Sequence, residues 1–235
     1  MSTLYFIRHG QASFGKSNYD ALSGKGEQQA EFLARYLNES ATGFDAIYTG
    51  PQVRHAQTAA PLVNLLEKED RMPVHKEHAG LAEYDFESVL KVLLPIISAE
   101  DESFNADVSR MFTDKKAFQR IFETAILRWV RGTDLPSDLS TWQAFKDRVN
   151  AGIDDIMATD GRGKHVIIFT SGGPIAVAMQ KALGLSDEMA MRLNWQIVNC
   201  SITRFKCTPN RIMVSAFNEH TWLEKIEGGA MITYR

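Results

Sequence analysis

The sequence predicts an α/β fold built on a mostly parallel sheet flanked by helices. Two observations carry this expectation. Leu4-Tyr5-Phe6-Ile7 and Val166-Ile167-Ile168-Phe169 are continuous apolar runs bounded by polar residues, the pattern of strands covered on both faces. Between such runs lie segments whose apolar residues recur at helical spacing, and alternation of the two element types argues for a parallel sheet. The 235 residues suffice for a single domain with a sizeable core.

The first strand stops at Arg8 and gives way to a loop containing Gly and Ser. A helix is expected over 27–38, with Ala30, Leu33, Ala34 and Leu37 along one face. Residues 44–49 read as the second strand. Gly50-Pro51 then opens a helix, with Pro51 suited to the first helical position and Val53, Ala56, Ala60 and Val63 recurring along it. Val166 to Phe169 runs into Thr170-Ser171-Gly172-Gly173-Pro174 and a helix closed by Gly184. Two late strands are expected over 202–206 and 211–216. Residues 86–139 break the rhythm: they are helix-rich, with apolar clusters at 90–94 and 121–130, and read as a helical insertion packing over the mouth of any pocket nearby. Met111, Phe112, Phe118 and Trp129 would form a small core of its own within that insertion.

Composition narrows the function classes. Hydrophobic residues make up 44% and charged residues 23%, with a net charge of −3, so there is no general attraction to nucleic acid or an anionic membrane. An anion site must be a local cluster of cations. The early apolar run is too short for a signal-peptide core, and no stretch reaches transmembrane length. Cys200 and Cys207 do not make a metal spacing, and reduced thiols in a cytoplasmic protein are expected.

Chemistry-bearing groups gather at three strand-to-helix junctions, where ligands bind in open α/β sheets. The first is Arg8-His9-Gly10-Gln11. The second is Gly50 through Ala59, containing Arg54, His55, Gln57 and Thr58. The third is Thr170-Ser171-Gly172-Gly173. Leu81-Ala82-Glu83 adds a carboxylate. Singly, each has an ordinary explanation: a solvated strand end, a first-turn arginine, a helix cap, a loop glutamate. Together and in this order they resemble the histidine phosphatase superfamily, also called the phosphoglycerate mutase-like family. Arg8-His9-Gly10 matches its signature triplet, and Arg54 through Ala59 its arginine-then-Gln-Thr-Ala helix start. Asn199-Cys200-Ser201 and Asn218-Glu219-His220 look like its late strand motifs.

The resemblance implies a three-layer α/β/α, phosphoglycerate mutase-like fold and phosphoryl transfer without a cofactor or metal, His9 taking the phosphoryl group as a phosphohistidine. The residue types suit that chemistry. Arg8 and Arg54 would neutralise a dianionic phosphomonoester through forked hydrogen bonds, with Gln11 and Ser171 adding further contacts. A neutral imidazole of His9 would attack phosphorus. Glu83 would protonate the leaving group and later activate water, provided its pKa is raised. A small phosphorylated substrate or a phosphoprotein is the implied partner.

Two departures stand out. The family pattern places a second histidine where this chain has Ser171, and losing one transition-state donor costs about 2.7–4 kcal/mol when nothing substitutes. His55, about 100° around a helix from Arg54, is expected to point elsewhere and to be a poor replacement. His220 is a candidate outer group, while His75, His78 and His165 read as surface or structural residues. The second departure is Phe14-Gly15-Lys16-Ser17-Asn18, which replaces the mutases' aromatic-Asn and Thr-Gly-Trp segments. Hydrolysis is therefore expected over mutase chemistry, with a phospho-ligand-binding protein as the alternative.

Overall fold

A computed structural model describes residues 1–13, 20–40, 43–111, 113–160 and 162–234. The 14–18 segment that separates this chain from mutases, and Phe112, lie outside the described residues. The element order is β1 (Ser2–Arg8), α1 (Gly24–Glu39), β2 (Ala46–Thr49), α2 (Val53–Lys68), β3 (Val74–Glu77), a 3-10 turn (Ala79–Leu81), α3 (Phe86–Glu100), α4 (Glu102–Val108), α5 (Lys115–Arg131) and α6 (Trp142–Asp160). Then follow β4 (His165–Thr170), α7 (Gly172–Leu183), α8 (Asp187–Asn194), β5 (Ile202–Thr208), β6 (Arg211–Glu219) and α9 (Thr221–Glu224).

The sheet runs β3-β2-β4-β1-β5-β6. β3, β2, β4 and β1 are mutually parallel, and β5 is antiparallel to both its neighbours, β1 and β6. The fully buried runs of β1 and β4 alternate between two apolar layers, as side chains on successive residues must. Leu4, Phe6, Val166 and Ile168 face α3 to α8. Tyr5, Ile7, Ile167 and Phe169 face α1, α2 and α9. The expected three-layer architecture follows.

Several boundaries differ from the sequence reading. α1 starts at Gly24 because the Ser23 side chain accepts from the Gly26 amide, an N-cap that fixes the helix start ahead of its first strong helix formers. α2 starts at Val53, with Pro51 outside it. Its buried stripe is Arg54, His55, Thr58, Ala59, Leu62 and Leu66, with Val63 packed at its edge and Val53, Ala56 and Ala60 exposed. β3 was not expected, since Val74 to Glu77 is an exposed edge strand with no apolar alternation.

Residues 86–139 contain α3, α4 and α5 and no strand among the described residues. Their core is not separate. Trp129, 1% exposed, belongs to the layer that also holds Leu4 and Ile168. Its ring lies 5.0 Å from Tyr84 and 5.6 Å from Trp142, and its Nε1 donates to the Ser140 carbonyl at 2.7 Å. Phe118 instead stacks on Phe122. Because the layer is continuous, Trp129→Ala should destabilise the whole chain by about 3–5 kcal/mol. Urea unfolding followed by far-ultraviolet circular dichroism and by tryptophan fluorescence should move together; a separate early transition confined to the helices would contradict a shared core.

Candidate active site

Because β2, β4 and β1 are adjacent and parallel, their carboxyl ends emerge side by side. Arg8 pairs with Thr170, and Thr49 with Phe169, so the three junctions form one cluster. The His9 amide donates to the Thr170 carbonyl at 2.9 Å. Asn199 Nδ2 donates to the His9 carbonyl at 2.9 Å, and the Cys200 amide to the Arg8 carbonyl at 2.9 Å. The Asn199-Cys200 motif thus holds the Arg8-His9 backbone, Cys200 taking a positive φ of 58° to do so. Gly10 sits tightly against α1: a Cβ there would lie 2.5 Å from the Gly26 carbonyl oxygen.

His9 Nδ1 lies 2.7 Å from the Gly10 carbonyl oxygen. A carbonyl only accepts, so Nδ1 carries the hydrogen and the lone pair sits on Nε2. Burial lowers the His9 pKa well below its ordinary value, reinforced by the Arg54 and Arg8 guanidinium groups and by His55. The ring is therefore a neutral base held beside two cations.

Arg54 donates through Nη1 to Asp20 Oδ1 at 2.7 Å, while Asp20 Oδ2 accepts from the Val53 amide at 2.9 Å. That carboxylate occupies both the guanidinium and the N-terminus of α2. Arg54 Nη2 also reaches Ser171 Oγ at 3.4 Å. Arg8 donates through Nη1 to the Ile197 carbonyl.

Glu83 is partly buried, and burial raises its pKa. Hydrogen bonds from the Gly173 and Tyr84 amides and the fields of Arg54 and Arg8 oppose that rise. Its Oε2 accepts from the Gly173 amide at 3.1 Å. A Cβ on Gly173 would lie 2.0 Å from Glu83 Oε1, so only glycine permits this approach. Arg148 clamps the segment from α6, donating to the Ala79 and Ala82 carbonyls at 2.8 and 3.1 Å.

Ser171 and His55 are both fully buried, and His55 Nε2 lies 2.7 Å from Ser171 Oγ. The His55 ring centroid is 5.8 Å from that of His9. The expectation that His55 points elsewhere is therefore wrong. It lies on the inward stripe of α2, and Gly50 makes room for it: a Cβ there would fall 2.3 Å from His55 Nδ1.

The remaining candidates lie in other networks. Gln11 Oε1 accepts from Ser23 Oγ at 2.9 Å, and its amide donates to Gln29 Oε1 at 2.8 Å, tying it to α1. His220 Nδ1 donates to the Asn218 carbonyl at 2.6 Å. His78 Nδ1 accepts from the Gly80 amide, His165 contacts Tyr5, and His75 is exposed. Asp20 was missed: an acidic residue before a helix cap carries no signal of its own. Among the described residues, no group of three or more His, Cys, Asp or Glu is arranged to hold a metal, no helix is long and apolar enough to cross a membrane, and both cysteines are free and buried.

The model of the histidine phosphatase superfamily (branch 1) matches residues 4–220. The chain belongs to the histidine phosphatase superfamily. No curated protein matches it by sequence. Solved structures of the superfamily's phosphatases and mutases share its fold. A phosphoserine phosphatase variant from Entamoeba histolytica, in complex with phosphoserine, is 19% identical with a TM-score of 0.63, covering 95% of this chain and 100% of its own. A putative alpha-ribazole-5'-P phosphatase from Escherichia coli is 16% identical with a TM-score of 0.63, covering 93% and 98%. A phosphoglycerate mutase from Bacillus anthracis is 18% identical with a TM-score of 0.61, covering 95% and 96%. At these identities the likeness establishes the fold of this superfamily member.

The two buried imidazoles make a pH prediction. Burial first, then Arg54, pushes the His55 pKa down to about 3. The native state therefore favours its neutral form, and the stability this ring contributes is lost as pH falls from about 6.5 towards the folded value. Glutamine does not titrate. Below about pH 6, wild type should lose about 1.4 kcal/mol per pH unit relative to His55→Gln, measured by urea unfolding from pH 7 to 5. Parallel profiles would mean that His55 is already solvated or charged.

Proposed function

We propose that this chain hydrolyses a phosphomonoester through a phosphohistidine on His9, without a metal. The observation that carries this reading is the His9 Nδ1 hydrogen bond to the Gly10 carbonyl. It leaves Nε2 unprotonated and nucleophilic between the fields of Arg8 and Arg54. The two arginines supply the positive charge that stabilises the transferring phosphoryl group. Nε2 attacks phosphorus in line as the ester oxygen leaves. Glu83, its carboxyl pKa raised by burial, gives that oxygen a proton and then takes one from the water that cleaves the N–P bond.

The phosphoserine and ribazole phosphatases among its structural neighbours agree with hydrolysis of a small phosphorylated metabolite or a phosphorylated side chain. The helices of 86–131 would shape substrate choice from the Glu83 side, because Trp129 of α5 packs on Tyr84, next to Glu83. A second reading, a protein that binds a phospho-ligand without turning it over, is favoured by Ser171 at the second histidine's position. In that case anion binding would survive with no phosphate release.

Rapid mixing with a radiolabelled aryl phosphate, followed by quenching, should give an acid-labile, base-stable phosphoprotein, and His9→Ala should abolish both the label and turnover. No label and no phosphate release from wild type would favour the binding protein. Glu83→Gln should lower turnover of an alkyl phosphate by about 10²–10⁴-fold. Compared as kcat/KM, which reports the transfer to His9 and not the later hydrolysis, the loss should be far smaller for p-nitrophenyl phosphate, since that leaving group needs little protonation. Equal losses on the two substrates would remove Glu83 from the role of acid.

A further inference from the structure

Ser171 occupies the N-cap position of α7, yet its side chain makes no cap hydrogen bond. Ser23 and Ser186 occupy the same position on α1 and α8, and both accept from the first-turn amides of their helices. Capping is the ordinary use of a serine there. At Ser171 the hydroxyl is turned away from its own helix, towards His55 Nε2 and Arg54 Nη2.

The hydrogen count at Oγ is decisive. Oγ has one hydrogen to give and two lone pairs, and Arg54 only donates. If His55 carries its hydrogen on Nδ1, the Ser171 hydroxyl must donate to Nε2, and nothing is left for a ligand. If the hydrogen is on Nε2, His55 and Arg54 both donate to Oγ, and the hydroxyl hydrogen is free to point at an anion. A phosphoryl oxygen placed against Oγ therefore selects the second tautomer. The first form keeps a hydrogen bond from Nδ1 to the Gly50 backbone, so the ligand's bond to the hydroxyl must outweigh that contact to select the second.

We propose that His55 takes over the work of the imidazole absent from position 171, donating through Ser171 to the transferring phosphoryl group in the chain Nε2–H···Oγ–H···O–P. This deepens the hydrolytic reading and rests on it for the identity of the ligand. Hydrogen bonds in series polarise one another, so Ser171 becomes a stronger donor than an isolated hydroxyl. His55 stays neutral and touches no substrate: it is a positioning residue acting through Ser171. Three features make the geometry possible: the inward stripe of α2, the bare Gly50 beside the ring, and the uncapped turn before α7.

The arrangement also sets what a histidine placed at 171 would do. A histidine at 171 would meet the His55 ring, whose Nε2 already lies 2.7 Å from the serine oxygen. Ser171→His alone should therefore fail to raise turnover, whereas Ser171→His with His55→Ala moves the imidazole into vacated space and should restore most of it.

The test pairs p-nitrophenyl phosphate turnover with orthovanadate and inorganic phosphate affinities measured calorimetrically. His55→Ala should lower turnover and vanadate affinity by about 10²-fold, with a smaller change for phosphate. Ser171→Ala should do the same, and the double alanine variant should be no worse than either single one, because both act in one relay. His55→Gln, whose amide N–H can stand where Nε2 stands, should retain most of both readouts. A role in packing alone would not show that rescue.

The inference is overturned if His55→Ala leaves turnover and vanadate affinity within about threefold of wild type. It is equally overturned if the single losses add, if glutamine is no better than alanine, or if vanadate does not bind wild type. Should His55→Ala fail to fold, Ser171→Ala and His55→Gln carry the same comparison. Turnover intact with a neutral His55→Ala rejects the relay and leaves hydrolysis standing. Vanadate binding that follows the relay pattern without any turnover rejects hydrolysis and leaves the relay.

Discussion

The structure turns on keeping an imidazole neutral beside two guanidinium groups in a buried corner. Charges out of water are tolerated only when paired or heavily hydrogen-bonded. Arg54 meets this through Asp20 and Arg8 through the Ile197 carbonyl. His9 meets it by giving up its charge. The parallel order of β2, β4 and β1 brings the three junctions together. The Asn199 and Cys200 contacts to the Arg8-His9 backbone stop the first junction from relaxing away. Fold and electrostatics are one problem here, since loosening the strand ends would let water in and protonate the ring.

Much of this was legible in the sequence, for identifiable reasons. β1 and β4 announce themselves because a strand covered on both faces must be apolar throughout. Arg8, His9, Arg54, Glu83 and Ser171 converge as expected because strand-to-helix junctions of a parallel sheet share one edge. β3 was illegible because an exposed edge strand has no core face to pattern. Trp129 was misread as the centre of a local cluster, since its partners Tyr84, Trp142 and Phe145 come from outside the helical segment.

The case of His55 is the most instructive. Angular separation along a helix says where two side chains leave the axis, but not which direction is inward. The 100° between His55 and Arg54 on α2 left both free to lie on one inward stripe, which is where they sit. The bulkier Leu62 and Leu66, together with Thr58 and Ala59, define a stripe that carries His55 into the site. Space was the other missing ingredient, because nothing in the sequence links Gly50 to a ring five residues later.

Asp20 has a consequence for whatever binds beside Arg54. Its carboxylate already holds the guanidinium and the Val53 amide, so the protein carries its own competing anion on a tether. An incoming ligand gains only the difference between its attraction and that of the displaced group, and its apparent affinity falls with the fraction of time the seat is taken. Singly charged anions such as chloride or a simple carboxylate offer little beyond what Asp20 provides. A dianion offers a second charge and more acceptor oxygens, enough to use Arg8 as well. An anion seated at Arg54 must therefore offer more than Asp20 already supplies there.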